Sequence, residues 1–253
     1  MSTLDHPGPP PPPPPPPPPR PAGHRDPSFA WRVGSPIGAV LLAFIALAVG
    51  AGFLSLAPLS DDSLSAILQP ITGGLILLFA LLLWRNLPPH ERRLTVALKH
   101  SRGGAIGLGL VVGIGCVIGA GTLLAIGRAI DPVVRRRLDD LSDELQIGTA
   151  HWQIALMGVA LIVLAPFGEE LLFRGMLLRG LARRLRFWPS ALISGAVFAS
   201  SHFDAYVLWP RALGLALTGV ALAWLYRWRG YWASVAAHAT VNVVAFIALV
   251  ASS

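Results

Sequence analysis

The chain has 253 residues, is 54% hydrophobic and only 13% charged, and carries a formal net charge of +7. Soluble domains hold roughly 25% charged residues, and here the apolar residues are bunched into long runs, which argues against a soluble globule and for a single integral membrane domain with a tail. The charge does not point to nucleic acid, because the arginines cluster between apolar runs, where membrane topology selects them. Lys99 is the only lysine, a bias that fits a GC-rich, bacterial genome and hence a bacterial plasma membrane.

Residues 1–35 are read as a disordered, proline-rich cytoplasmic tail. Pro9 to Pro19 is unbroken proline, which adopts polyproline II and would extend roughly 34 Å. It has no signal-peptide pattern. A partner that recognises proline helices is one expected ligand for it.

Residues 36–253 are expected to form an all-α, polytopic membrane helix bundle of about seven transmembrane helices. The apolar runs are 36–57, 64–84, 103–127, 152–178, 189–208, 211–226 and 231–251, each close to what ~30 Å of hydrocarbon requires. Gly103, Gly107, Gly109, Gly113, Gly115 and Gly119 make the third run a surface for close helix approach. Cys116, the only cysteine, allows no intramolecular disulfide or Cys-rich zinc site and reads as a small packing residue. Basic residues precede the first run and fill the second, fourth and sixth loops (Arg85, Arg92, Arg93, Lys99, Arg102; Arg179, Arg183, Arg184, Arg186; Arg227, Arg229). The first loop has only Asp61 and Asp62, and the third mixes arginines with acids. The positive-inside rule then places the N-terminus in the cytoplasm and the C-terminus outside.

The fourth run contains Glu169, Glu170 and Arg174. An ionised side chain in hydrocarbon costs at least ~2.5–3.5 kcal/mol on insertion scales, so three within six positions imply buried pairing or chemistry. With a turn near residues 187–189, Glu169 and His202 lie about 27 and 21 Å from it at 1.5 Å per residue, at similar depth in an antiparallel hairpin. His238 and Asn242, four apart, share a face of the last helix at comparable depth. Phe198, one turn before His202, reads as packing. Arg174 is placed to neutralise one carboxylate. Two close carboxylates compete for a proton, and a carboxyl that takes and returns a proton is a general base.

Glu-Glu-x-x-x-Arg at 169–174, Phe-x-x-x-His at 198–202 and His-x-x-x-Asn at 238–242 occur in that order on separate apolar helices. Together they resemble the CPBP family: the type II CAAX prenyl endopeptidases, the Abi or bacteriocin-processing proteases, and lysostaphin-resistance-protein-A-like domains. The resemblance spans about 150–245, the expected protease core. It implies an all-α membrane fold and an intramembrane endopeptidase acting on a membrane-associated peptide or protein. It further implies that Glu169 activates water with help from His202, that His238 and Asn242 form the oxyanion site, and that Glu170 and Arg174 orient and tune Glu169.

A metal-free glutamate mechanism is favoured, with no cofactor. The alternative is a zinc site of Glu170, His202 and His238 with Glu169 as base, although the zincin His-Glu-x-x-His motif is absent. Rhomboid-type serine chemistry fits poorly because Leu192 stands where Gly-x-Ser-Gly needs glycine, and Asp204 has no Gly-x-Gly-Asp context. A non-catalytic immunity or scaffold protein is the rival from another class. A transporter would call for paired internal repeats, and the sequence has none.

Overall fold

The computed structural model describes residues 28–54, 61–97, 101–144, 150–202 and 208–252. The proline run at 9–19 lies outside them, as do Lys99 and Asp204. The described residues form helices and no strand. In chain order these are α1 (Phe29–Leu54), α2 (Asp61–Arg85), the short α3 (Pro89–Thr95), α4 (Arg102–Ile130) and α5 (Pro132–Glu144). There follow α6 (His151–Leu181), α7 (Phe187–Ser200), α8 (Trp209–Arg229) and α9 (Tyr231–Ser252).

Helix α1 starts seven residues ahead of the expected boundary at 36. Ser28 is the reason: its hydroxyl accepts from the Trp31 amide at 3.1 Å, satisfying one of the free N–H groups of the first turn. Five helices, α1, α2, α4, α6 and α9, are long and apolar enough to cross a membrane, where seven were expected. The two that fall short are α7 and α8. The apolar run expected over 189–208 ends as helix at Ser200, so α7 has 14 residues, about 21 Å. Its last carbonyls are taken by side chains: Ser200 Oγ donates to Val197 O at 2.9 Å, Ser201 Oγ to Phe198 O at 2.7 Å, and His202 Nδ1 lies 2.9 Å from the same Phe198 O. Such local bonds compete with continuing the helix. In α8, arginines at 211, 227 and 229 interrupt the apolar stretch.

Helix α6 is the axis of the bundle. Half of its spanning window is buried, against at most 28% for any other span. It contacts α1, α2, α7, α8 and α9, while α4 packs on α8 and α9. Of the six glycines in the third run, Gly109 and Gly113 carry the close approach: a Cβ there would stand 2.5 Å from Ala233 O and 2.6 Å from Ala237 O on α9. Gly107, Gly115 and Gly119 face open space.

The two ends of the bundle are tied by different chemistry. At one end Glu91 of α3 is buried between Arg32 of α1, which grips it with both guanidinium nitrogens (Nη2–Oε1 2.8 Å), and Arg183 of the α6–α7 turn at 2.6 Å. Tyr226 near the end of α8 donates to Thr95 O at 2.9 Å at the same end. Burial alone would raise the Glu91 carboxyl, but Arg32, Arg183 and nearby His90 hold it below the ordinary 4.5. At the other end Gln153 bonds Ser63, and Trp209 Nε1 donates to Asp131 at 3.1 Å. Arg32, Glu91, Arg183 and Tyr226 thus mark one end of the bundle, and Ser63, Gln153, Asp131 and Trp209 the other.

Candidate active site

Helix α6 is not regular. π turns occupy Ala160–Leu164 and Glu170–Leu178, with α-helical Ala165–Glu169 between them. Wider turns of this kind are rare and recur at functional sites. They leave carbonyls poorly matched to donors of their own helix, and in lipid such groups need partners from neighbouring elements. Three side chains meet carbonyls of this helix: Asn242 Nδ2 donates to Leu161 O at 2.7 Å and Ser194 Oγ to Phe173 O at 3.2 Å within the π turns, and Tyr231 Oη to Phe167 O at 2.8 Å in the α segment between them. Beside the glutamates, Gly168 lets α2 lie against α6, since a Cβ there would sit 2.8 Å from Leu77 N.

The adjacent glutamates have opposite environments. Glu170 is fully buried and saturated. Its Oε1 takes Arg174 Nη1 at 2.8 Å and His238 Nδ1 at 2.9 Å, and its Oε2 takes the Ser234 hydroxyl. Arg174 is also fully buried. It gives Nη2 to Gly219 O at 3.2 Å and lays its guanidinium over Phe198 with 4.5 Å to the ring centre. Gly219 is itself at a close crossing, where a Cβ would come within 2.7 Å of Gly195 Cα. Glu169, by contrast, has a 12% exposed side chain, and its buried Oε2 has no hydrogen-bond partner among the described residues. His238 Nε2 lies 3.9 Å from that oxygen, beyond hydrogen-bond distance.

The sequence-predicted residues therefore assemble unevenly. Glu169, Glu170, Arg174 and His238 form one connected cluster. His202 joins through Phe198, whose ring lies 4.8 Å from His202, 5.6 Å from His238 and 5.3 Å from Phe173 between centres. Phe198 is thus more than generic packing: its ring contacts both imidazoles and covers Arg174. Asn242 is engaged with the Leu161 carbonyl and has no bond to either glutamate. Arg174 bonds Glu170 and makes no hydrogen bond to Glu169.

Ser234 and the Gly219 carbonyl were missed. Ser234 was legible, because Ser234, His238 and Asn242 follow at intervals of four on one face of α9. The Gly219 carbonyl carried no sequence signal, since any residue has one.

The zinc set of Glu170, His202 and His238 does not fit this arrangement. Both Glu170 oxygens are occupied by Arg174, His238 and Ser234. Among the described residues no three His, Cys, Asp or Glu side chains gather as a metal site.

Residues 151–244, well under half of the chain, match a family model described as type II CAAX prenyl endopeptidase Rce1-like. No curated protein and no solved structure matches the chain. The matched stretch contains both glutamates, Arg174, both histidines, Ser234 and Asn242, and the apolar helices around it make the chain an integral membrane protein. Over residues 151–244 the chain is thus similar to the type II CAAX prenyl endopeptidase Rce1-like family.

Proposed function

We propose that the chain is an intramembrane endopeptidase in which Glu169 activates the attacking water. The observation that carries this reading is the contrast between the two carboxylates: Glu170 is fully committed to Arg174, His238 and Ser234, while Glu169 keeps a buried oxygen without a partner. An unpaired buried acceptor is costly to keep, and a proton-accepting role gives a reason for it.

In the proposed reaction Glu169 Oε2 takes a proton from water as the hydroxide oxygen bonds the scissile carbonyl carbon. The carbonyl electron pair becomes an oxyanion. His238, held through Nδ1 by Glu170, presents Nε2 to this side, and Asn242 retains a second amide N–H after giving one to Leu161. These are the donors proposed for the oxyanion. The C–N bond then breaks, and the proton on Glu169 passes to the leaving amine. His202, packed against Phe198, is assigned to holding the water. Glu170 and Arg174 are positioning residues that act through His238.

The proposed substrate is a membrane-associated peptide or protein, reached from the bilayer or from the arginine-rich end, which is assigned to the cytoplasm together with the N-terminus. No metal is assigned to the reaction. The proline tail is assigned to a proline-recognising partner.

The test compares peptide termini in membranes of cells carrying the wild-type chain or Glu169→Gln at equal expression. Termini that vanish in the variant while their uncleaved precursors accumulate support the reading. Identical termini would leave a non-catalytic scaffold as the better description.

A further inference from the structure

We infer that Asn242 is a positioning residue that holds the π turn of α6 in front of the glutamates, by replacing the hydrogen bond that Pro166 removes. This rests on the reading of Glu169 as the working carboxylate and adds a second duty to an amide assigned so far only to the oxyanion.

The bonding around Leu161 is specific. In an α turn its carbonyl would accept from the amide four residues on, Ala165. That amide is directed to Ala160 O, five residues back, as a π turn requires. In the π pattern the donor for Leu161 would be residue 166, and Pro166 has no N–H. Both regular donors are thus lost to one carbonyl, inside a span where water does not substitute. Asn242 Nδ2 meets that carbonyl at 2.7 Å from another helix, 81 residues away in sequence.

The geometry ties two events together. Pro166 and the π turn set the direction in which α6 continues to Glu169, three residues on. The Asn242 bond fixes that direction to α9, the helix that also presents His238 and Ser234 to Glu170. Base and imidazole are therefore registered to each other at two levels, through Glu170 and through Leu161. Asn242 sits one turn beyond His238, so a single helix face carries both ties.

The test is a cycle in detergent-purified full-length protein: wild type, Asn242→Leu, Pro166→Ala and the double variant. Asn242→Leu keeps the volume and removes the donor. It is expected to lower Tm by about 2–12 °C, the effect of leaving a buried carbonyl without a partner in a chain of this size. Pro166→Ala supplies an amide at position 166, so the same Asn242→Leu change is expected to cost less than half as much in that background. Equal losses in both backgrounds would overturn the inference. If Pro166→Ala does not fold, Asn242→Asp decides: it sets a carboxyl oxygen against the Leu161 carbonyl, and Tm is expected to fall at least as far as in Asn242→Leu. An unchanged Tm in both would mean that the amide serves only the oxyanion.

Positioning is read separately by modification of Glu169 with dicyclohexylcarbodiimide, followed by peptide mass spectrometry. Asn242→Leu is expected to change the rate several-fold at Glu169 and leave Glu91 unaltered. Equal rates at Glu169 would reduce Asn242 to a stabilising role and overturn the positioning claim. Neither readout needs a substrate, so they succeed or fail independently of the hydrolase reading.

Discussion

Replacing Arg174 by methionine removes one partner of a charge pair that is fully buried on both sides. Glu170 would keep the Ser234 and His238 bonds but lose its permanent counter-charge, and Gly219 O would lose its donor. Stranding one member of a buried pair costs about 3–5 kcal/mol, and in a chain of this length that is roughly 6–20 °C in Tm. Arg174→Met/Glu170→Gln removes both charges while leaving an amide oxygen for His238, and pairs removed together are often close to neutral. The double variant should therefore melt above the single one. The assay is thermal unfolding in one detergent at one pH, followed by tryptophan fluorescence. A single variant that loses under about 1 kcal/mol, or a double variant no more stable than the single, would refute the claim that Glu170 depends on Arg174 as its buried partner.

Other expectations concern different parts of the bundle. Gly168→Ala places a methyl 2.8 Å from a backbone nitrogen of α2; overpacking of this kind costs about 1–3 kcal/mol, and a variant melting like wild type would show that α2 is free to yield. The Glu91 carboxyl is held below its ordinary 4.5, so its ion cluster stabilises the fold above that pH, and the contribution is lost as pH falls through the lower folded-state value. Tm should therefore fall more steeply in wild type than in Glu91→Gln as pH drops below about 4.5, and parallel curves would contradict the assignment. The proposed metal-free glutamate mechanism predicts that peptidase activity survives chelator treatment; loss that added zinc restores would overturn it.

Much of the site was legible because chemistry in hydrocarbon is conspicuous. Glu169, Glu170 and Arg174 stood out against leucine, and their depth matched those of His202 and His238. Helix α6 was found almost to the residue, since its apolar run has no competing signal. The end of α7 was misplaced because hydropathy does not register that Ser200, Ser201 and His202 turn back on Val197 and Phe198. The start of α1 was misplaced because a single capping serine, Ser28, outweighed the proline-rich context before it. Pro166 visibly removes a donor next to the first π turn, yet the consequence is tertiary: only the position of α9 decides that Asn242 reaches Leu161. Spacing could not tell which glutamate is saturated, because Arg174 lies one turn from Glu170 and only one residue further from Glu169.

The central claim is that Glu169 deprotonates the attacking water. Its most direct test is the cleavage rate of an identified substrate in reconstituted vesicles, wild type against Glu169→Gln, with Tm measured on the same samples. Removing a general base is expected to lower kcat by about 10²–10⁴ while Tm stays unchanged or rises, because the Glu169 Oε2 that is altered has no partner to lose. A glutamine variant that cleaves within about tenfold of wild type would contradict it, since general-base catalysis is worth more than that.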